Sequence, residues 1–482
     1  MKIALASTLI AVTAALLLGA DPAWAEAPAP GATPMPIPTQ PPPSILPPPP
    51  PLPAPLPAPL PAPAAVTGRM FRSDPAHTGY YFSIPIPAIR GQLWRIQTKG
   101  AVTTAALADN TVYFGSDDEH LYAVDLATGR ERWRFKARNG IASSPAVVGG
   151  LVYFGSDDDN LYALDAATGA ERWRYKTDGR VESSPTVTGG IVYFGSSDKG
   201  LYALDARSGV ERWRFKAKKG ITGSPAVVGP FAYIADEGGN VYAIDAATGM
   251  ERWWFKTEKG VAGSVVVSEG VLYVGDDGGN LYAIDAASGR QHGLFKADKG
   301  IEASPAVFGG LLYLPSSDRR LYAVDVKAAV IKWTVRAEKA IRSSPSVAGG
   351  MVFFGSDDGY LYAVDAATGE VRWKSKAEKA IEASPLIANG IVVFGSKDGT
   401  MYAIYGMDAP PIPLPPTPAT VPPGTGAISD QPPTAPPAPA PSAPAAPVPA
   451  PPGPPVMPPP PPPPDIDPQT PEPAPPAPAP SK

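Results

Sequence analysis

The chain has no cysteine among its 482 residues. It therefore cannot form a disulfide, a thiolate zinc site or a haem linkage through a CxxCH motif. A bacterial lipoprotein is lipidated on a cysteine, so lipid anchoring of that kind is excluded as well. The fold has to be held together by packing and hydrogen bonding without covalent cross-links.

The chain also lacks a charge imbalance and has only one long apolar run. Its 41 basic residues nearly balance 45 acidic ones, which gives no electrostatic footprint for nucleic acid. The apolar run, Ile3–Leu18, follows Lys2 and precedes the small-x-small sequence Ala23-Trp24-Ala25. This pattern predicts a signal peptide over residues 1–25 and export to the periplasm or cell envelope, or into the medium. A membrane anchor is the alternative, but the run is short and Asp21-Pro22 interrupts it.

Proline divides the rest of the chain. Of 66 prolines, only eleven lie between Arg69 and Met407. The others crowd residues 26–68 and 408–482, where proline and alanine offer little apolar area to offset chain entropy. These two segments are predicted to be disordered, polyproline-like arms flanking one folded domain at 69–407.

A forty-residue repeat dominates the folded domain. In its second copy, four short runs rich in aromatic and β-branched residues are predicted strands: Ile141–Val148, Leu151–Gly155, Leu161–Asp165 and Glu171–Thr177. The turns between them suit hairpins. Four hairpin-linked strands per repeat predict the blade of a β-propeller.

The two ends of the repeat array complement each other. The eighth hairpin, Ile391–Tyr405, has no fourth strand after it, whereas Gly91–Thr98 contains Trp94 and resembles a fourth strand with no blade before it. Placing the early strand on the last blade gives an all-β, eight-bladed propeller closed by an N-terminal strand. Closure removes two open sheet edges.

The run from Ala163 to Trp173 resembles the AxDxxTGxxxW docking motif of PQQ-like repeat propellers. The resemblance implies that tryptophans at the repeat spacing dock against the neighbouring blade, namely Trp94, Trp133, Trp173, Trp213, Trp253, Trp333 and Trp373. It covers about 340 residues. The family includes BamB outer-membrane assembly factors and the propellers of quinoprotein dehydrogenases, which bind pyrroloquinoline quinone (PQQ) with calcium.

The chain departs from the dehydrogenase pattern. It lacks long insertions around a pocket, a vicinal cysteine pair and a haem site. Its three histidines, His77, His120 and His292, fall at unrelated positions, so no catalytic residue or metal ligand is predicted. We therefore expect an exported, monomeric, non-enzymatic scaffold of the BamB type, without a cofactor, that binds envelope proteins through its face or its arms. The alternative is a small propeller that binds PQQ with calcium, or another ligand, with dehydrogenase-like activity.

Variable repeat positions supply the candidate sites. The position of Ala142 changes around the ring while nearby serines do not, and it is predicted to place Glu182, Glu302, Arg342 and Glu382 at a channel mouth that binds a cation, ligand or partner. Ordinary solvated residues are the alternative there.

Blades four to six differ most from the other copies. Gly293 replaces the repeated tryptophan, Ala328-Ala329 replace Thr-Gly, and Val265 replaces the proline of the repeat. Trp254 and Leu294 replace an outward charge, which predicts a small apolar partner patch on the rim. Neutral drift in a tolerant blade is the alternative.

Overall fold

The computed structural model describes residues 70–406, and every regular element in that range is a β-strand. The predicted signal peptide (1–25), linker (26–68) and proline-rich tail (408–482) lie outside the described residues. Within the described part of the chain, no helix of the length and apolarity needed to cross a bilayer is found.

Eight sheets of four strands succeed one another along the chain. They are numbered blades 1 to 8 in chain order, beginning with the sheet that contains β3. The innermost strands contact each other around the centre and are β3 (Ala106–Ala108), β7 (Ala146–Val148), β11 (Thr186–Thr188), β15 (Ala226–Val228), β19 (Val266–Ser268), β23 (Ala306–Phe308), β27 (Ser346–Ala348) and β31 (Leu386–Ala388). The second strands are β4 (Thr111–Gly115), β8 (Leu151–Ser156), β12 (Ile191–Gly195), β16 (Phe231–Ala235), β20 (Val271–Gly275), β24 (Leu311–Pro315), β28 (Met351–Gly355) and β32 (Ile391–Gly395).

The third strands are β5 (His120–Asp125), β9 (Asn160–Asp165), β13 (Gly200–Asp205), β17 (Asn240–Asp245), β21 (Asn280–Asp285), β25 (Arg320–Asp325), β29 (Tyr360–Asp365) and β33 (Thr400–Gly406). The outermost strands alternate between exposed and half-buried side chains and are β6 (Glu131–Lys136), β10 (Glu171–Lys176), β14 (Glu211–Lys216), β18 (Glu251–Lys256), β22 (Gln291–Lys296), β26 (Val330–Arg336), β30 (Val371–Lys376) and β2 (Ile89–Gln97). Strand β1 (Tyr80–Tyr81) adds parallel to β27.

The eighth blade is built from both ends of the domain. Strand β2 pairs antiparallel with β33, and Trp94 stands opposite Ala403 as Trp133 stands opposite Ala123 in blade 1. The predicted eight-bladed propeller closed by an N-terminal strand is therefore confirmed. No covalent bond is needed at the seam because backbone hydrogen bonds make the joint.

The predicted inner strand, Ile141–Val148, was too long, because regular pairing covers only Ala146–Val148. Pro145 has no N–H to donate to a ladder. Just before it, Ser143 Oγ accepts a hydrogen bond from Gly155 N at 2.7 Å in place of a backbone carbonyl. The same bond joins Gly115 N to Thr103, Gly195 N to Ser183 and Gly355 N to Ser343, so a side-chain hydroxyl holds the inner part of four blades where the strand ends.

A belt of hydroxyl groups links neighbouring blades around the central channel. The backbone N–H of Ser144 donates to Ser184 Oγ of the next blade at 2.9 Å. The same bond recurs between the pairs Ser184–Ser224, Ser224–Ser264, Ser264–Ser304, Ser304–Ser344 and Ser384–Thr104. These buried hydroxyls satisfy backbone donors that would otherwise face the channel. This explains why the position stays serine or threonine while the neighbouring Ala142 position varies.

Tryptophans connect the blades farther out. At seven junctions an indole Nε1 donates to a carbonyl across the junction: Trp94 to Leu126, Trp133 to Ala166, Trp173 to Ala206, Trp213 to Ala246, Trp253 to Ala286, Trp333 to Ala366 and Trp373 to Ile86, at 2.7–3.2 Å. The indole lies against the glycine of the facing turn. At Gly249 (φ +75°), an added Cβ would come within 2.8 Å of the Trp213 ring. Both the positive φ and the close approach require glycine there.

Residues 70–86 form a lead-in segment that fills one end of the channel. Its carbonyls accept hydrogen bonds from the inner-strand N–H groups of Val227, Val267, Val307 and Val347, in blades 4 to 7. Arg72 is fully buried and donates to the carbonyls of Pro345, at 2.8 Å, and Pro305. The segment thus pairs backbone donors of four blades that the channel would otherwise leave open.

Candidate functional site

The open end of the channel is lined by two residues from each repeat. One occupies the variable position of Ala142. The other follows fifteen residues later, in the turn between the second and third strands. In three repeats it contacts the first: Ser317 bonds Glu302, Asp357 bonds Arg342 and Lys397 bonds Glu382. The sequence analysis identified only the first of these two positions.

The most connected part of the mouth lies between blades 6 and 7. Arg342 Nε donates to Glu302 Oε2 at 2.8 Å, and its Nη1 bonds Asp357. Ser317 Oγ donates to Glu302 Oε1 at 2.6 Å. Burial disfavours the charged form of Glu302, but the bonds from Ser317 and Arg342 outweigh it and bring its pKa below the usual value. Glu302 and Arg342 therefore form an inter-blade ion pair.

The other predicted mouth residues are held separately. Glu182 lies 3.6 Å from Arg180 Nη1, within its own blade, and Glu382 accepts from Lys397 Nζ at 3.0 Å. Of the four predicted residues, the described contacts join only Glu302 and Arg342 directly. Both remaining glutamates are partly exposed, so these pairs contribute little stability.

Two further carboxyl groups near the mouth have a raised pKa, because their surroundings disfavour the ionised form. Burial raises the pKa of Asp157, and the nearby charge of Glu182 raises it further. Burial likewise raises the pKa of Asp277, with Glu302 adding to the effect. Oδ1 of Asp157 is buried without a hydrogen-bond partner among the described residues. Anions held this way favour a cationic or hydrogen-donating group entering the mouth.

Beside Arg342 is a polar pocket of about 700 Å³ between blades 6 and 7. Four acidic side chains line it, against six basic ones: Lys299, Arg319, Arg320, Arg336, Lys339 and Arg342. Two of the six, Arg320 and Arg342, form ion pairs with carboxylates. For the other four, the described residues provide no ion pair. We call this the cationic pocket, and sequence reasoning missed it because it gathers residues from six separate turns and strands.

The predicted rim residues are exposed on adjacent outer strands. Trp254 is 49% exposed and Leu294 53%, in β18 and β22. Lys218 Nζ lies 3.5 Å from the centre of the Trp254 ring, a cation–π contact that fixes the indole against the blade. The structure therefore presents both side chains to solvent, with Lys218 against the Trp254 ring.

The mouth does not fit a calcium–quinone pair. Calcium takes six to eight oxygen ligands. Within residues 70–406, no group of three or more histidine, aspartate or glutamate side chains is arranged to hold a metal ion. Glu302 and Glu382 are each bound to a cationic side chain.

Comparison with known proteins places the chain in a family. A family model described as outer membrane protein assembly factor BamB matches residues 86–165, 117–254, 201–292, 237–348 and 333–409. Among solved structures, BamB from Moraxella catarrhalis aligns with TM-score 0.58 and 18% identity, over 65% of this chain and 99% of that one.

Dehydrogenases align equally well. A europium-containing methanol dehydrogenase gives TM-score 0.63 and 15% identity over 70% of this chain and 98% of that one. The quinohemoprotein alcohol dehydrogenase from Comamonas testosteroni gives 0.63 and 17%, over 70% and 80%. At such identities the alignments establish a shared fold alone. No curated protein matches the chain.

Proposed function

Because the chain belongs to the family described as outer membrane protein assembly factor BamB, we propose that it is an exported, non-enzymatic scaffold that binds protein partners in the cell envelope. A family name and a fold do not fix a function. The proposal therefore depends on the site, above all on the cationic pocket between blades 6 and 7.

The cationic pocket supports a protein partner with an acidic segment. Its unpaired cations, Lys299, Arg319, Arg336 and Lys339, lie on the same side of the ring, next to the Glu302–Arg342 ion pair. Electrostatic complementarity of this kind speeds encounter and selects partners of opposite charge. The pocket is open and polar, and the carboxylate that accepts from its one hydroxyl, Ser317, is already paired with Arg342, so binding is the activity it supports best.

Charge reversal with a matched control tests the proposal. The test variant is Arg336→Glu/Lys339→Glu. The control is Lys216→Glu/Lys219→Glu, which changes the same two repeat positions in blade 3, away from the pocket. Tagged proteins are used for affinity capture from envelope extracts, with partners identified by mass spectrometry. We expect the test variant to lose partner recovery by about tenfold at low salt, and less at high salt, where screening is stronger. The control should match wild type.

A second measurement addresses the enzymatic alternative. The purified chain is titrated with PQQ and calcium, and dye-linked oxidation of alcohols and sugars is followed. Tight, calcium-dependent uptake with turnover would overturn the scaffold proposal. Equal partner recovery by both charge-reversed variants would remove the cationic pocket from it.

A further inference from the structure

The junction between blades 5 and 6 lacks the tryptophan that the seven other junctions contain. Gly293 stands at the tryptophan position of β22. Around it is a pocket of about 320 Å³, lined mainly by apolar side chains, among them Leu281, Leu312 and Val324. This volume is at the lower end of the range for ligand sites, about 300–1,000 Å³. We call this pocket the indole socket.

The polar groups that receive an indole elsewhere lack partners here. At five of the seven other junctions, the carbonyl that accepts from the indole also accepts from a tyrosine of the same blade as the tryptophan, as Ala286 does from Trp253 and Tyr233. The equivalent carbonyl in the socket belongs to Val326 and the equivalent tyrosine is Tyr273. Among the described residues, neither the Val326 carbonyl nor the Tyr273 hydroxyl has a hydrogen bond. Tyr273 is 7% exposed and lines the socket.

The facing turn has changed together with the missing tryptophan. Where six other turns place glycine against an indole, this one has Ala329 at φ +53°. An alanine Cβ would collide with an indole docked as at the other junctions, where the added Cβ comes within 2.6–2.8 Å of the ring. The socket therefore accepts an indole only in a slightly shifted pose, reached from outside the blade and not from β22.

Exposed aliphatic side chains lie in the wall of the socket and in the strand that follows its turn. Leu294 lines the socket, and Val330 and Ile331 come directly after the lining residue Ala329; all three side chains are about half exposed. Ile331 occupies a position that is glutamate in blades 1 to 4. This apolar border extends beyond the area of one ring, which favours a peptide segment over a free small molecule.

We infer that the indole socket binds a tryptophan side chain of a partner protein, flanked by apolar residues, with its indole N–H donated to the Val326 carbonyl. The inference rests on the proposed scaffold function and specifies how that scaffold recognises its partner. Aromatic anchors buried in pockets of this kind dominate protein–protein affinity. Tyr273, with its free hydroxyl, lies beside the entering ring as Tyr233 lies beside Trp253.

The minimal test uses N-acetyl-5-fluorotryptophanamide, whose fluorine NMR signal is distinct from the protein's own tryptophans. We expect saturable broadening at millimolar probe. The 1-methylindole analogue, which cannot donate to Val326, should bind about five- to tenfold more weakly, as expected for one lost hydrogen bond. The acetylated phenylalanine amide should bind more weakly still.

The decisive variant is Gly293→Trp/Ala329→Gly, which rebuilds the repeat and fills the socket from within. It should abolish probe binding and raise the melting temperature. Gly293→Leu, which fills only part of the socket and leaves the turn unchanged, serves if the double variant does not fold. Met250→Ala, which truncates an exposed side chain of blade 4 outside the socket, is the control and should leave the probe's affinity within twofold.

Two outcomes would overturn the inference: no probe binding at several millimolar, or equal binding to the filled variant. In envelope capture, partners retained by the filled variant would also overturn it while leaving the scaffold proposal intact. If wild type captures no partner, the scaffold proposal fails, and the probe titration still decides whether the socket takes an indole.

Discussion

At the scale of single residues, the repeat depends on a paired requirement of tryptophan and glycine. The indole needs a flat surface on the next blade, and only glycine supplies it at positive φ. At the junction between blades 5 and 6 both members of the pair are replaced: the tryptophan position is Gly293, and the glycine position is Ala329, at φ +53°. Positive φ costs alanine about 1–2 kcal/mol. This turn tolerates the alanine because it faces no indole ring with which the Cβ would collide.

A pair of glycine substitutions separates the two requirements. Gly249 and Gly189 both have positive φ, but an added Cβ meets the Trp213 ring at the first and nothing within 4 Å at the second. We expect Gly189→Ala to lower the free energy of unfolding by about 1 kcal/mol, through backbone strain alone. Gly249→Ala should lower it by about 1–3 kcal/mol more, because overpacking is added. Urea unfolding measures both, and equal losses would contradict the docking role of the glycine.

His77 is the second residue with a physical consequence of its own. It is completely buried in the lead-in segment, with Nε2 3.0 Å from Thr186 Oγ1. Burial lowers its pKa to about 3, and the charge of Arg72 contributes. The folded state thus holds His77 neutral at a pH where the unfolded chain binds a proton.

This shift gives stability a defined dependence on pH. The pKa of His77 is below its unfolded value of about 6.5, so the folded state loses stability as pH falls from about 6.5 towards 3. The cost is about 1.4 kcal/mol per pH unit. His77→Asn should remove the histidine contribution to this slope between pH 6 and 4.5. The carboxyl groups whose pKa is raised, such as those of Asp157 and Asp277, are common to both chains and cancel in the comparison. Exposed His292→Gln should keep it, and urea unfolding at stepped pH is the measurement. An unchanged slope in His77→Asn would contradict the assignment.

At the scale of elements, β2 is the piece that completes the ring. It pairs with β33 from Gly406 to Thr400 and docks Trp94 into blade 1. The last tryptophan, Trp373, bonds the Ile86 carbonyl just before β2. The N-terminal segment therefore serves two junctions, on both sides of blade 8.

Deleting 91–98 should therefore cost much more stability than deleting the tail at 408–482. Loss of the buried Trp94 alone is worth about 3–5 kcal/mol, and the unpaired edge of β33 adds to it. Tail removal should leave the melting temperature of the propeller within about 1 °C, which for a domain of this size corresponds to less than about 1 kcal/mol. Calorimetry of the two truncations decides, and comparable melting temperatures would refute the clasp.

The same element shows how much could be predicted from sequence. Strand count, blade order and the seam follow from periodicity, because each repeat confirms the others. The lead-in segment occurs once, so no periodicity predicts that Arg72 and the carbonyls around it would fill one channel end. The contacts of Glu302 and Arg342 were missed for a similar reason, since Asp357 and Ser317 reach them from turns that read as ordinary hairpins.

At the scale of the whole molecule, the ring has two different ends and an uneven rim. The lead-in segment fills one end of the channel, and charged side chains line the other. Around the rim, the apolar exposure of Trp254, Leu294, Val330 and Ile331 is gathered on blades 4 to 6. A partner that contacts this sector and the cationic pocket would touch neighbouring blades only.

The rim prediction is tested by Trp254→Ala/Leu294→Ala. Both side chains are about half exposed, so the double variant should lose no more than about 1–2 kcal/mol of stability, including the contact of Trp254 with Lys218. We expect it to lose envelope partners in affinity capture. Val210→Ala/Met250→Ala, which truncates two exposed side chains on the turns of blades 3 and 4, is the control. Recovery of every partner by the rim variant would remove the patch from consideration.

The pairing of β2 with β33 also determines the order in which parts of the propeller can fold. Strand β2 is synthesised first among the blade strands, yet its partner β33 is the last described strand to emerge, some 300 residues later. The lead-in segment likewise waits for blades 4 to 7. Contacts of such long sequence separation form late and slowly. If the chain is exported unfolded, the ring can close only after Gly406 has crossed, so the early strand spends the whole of translocation as an unpaired edge that chaperones of the receiving compartment must protect.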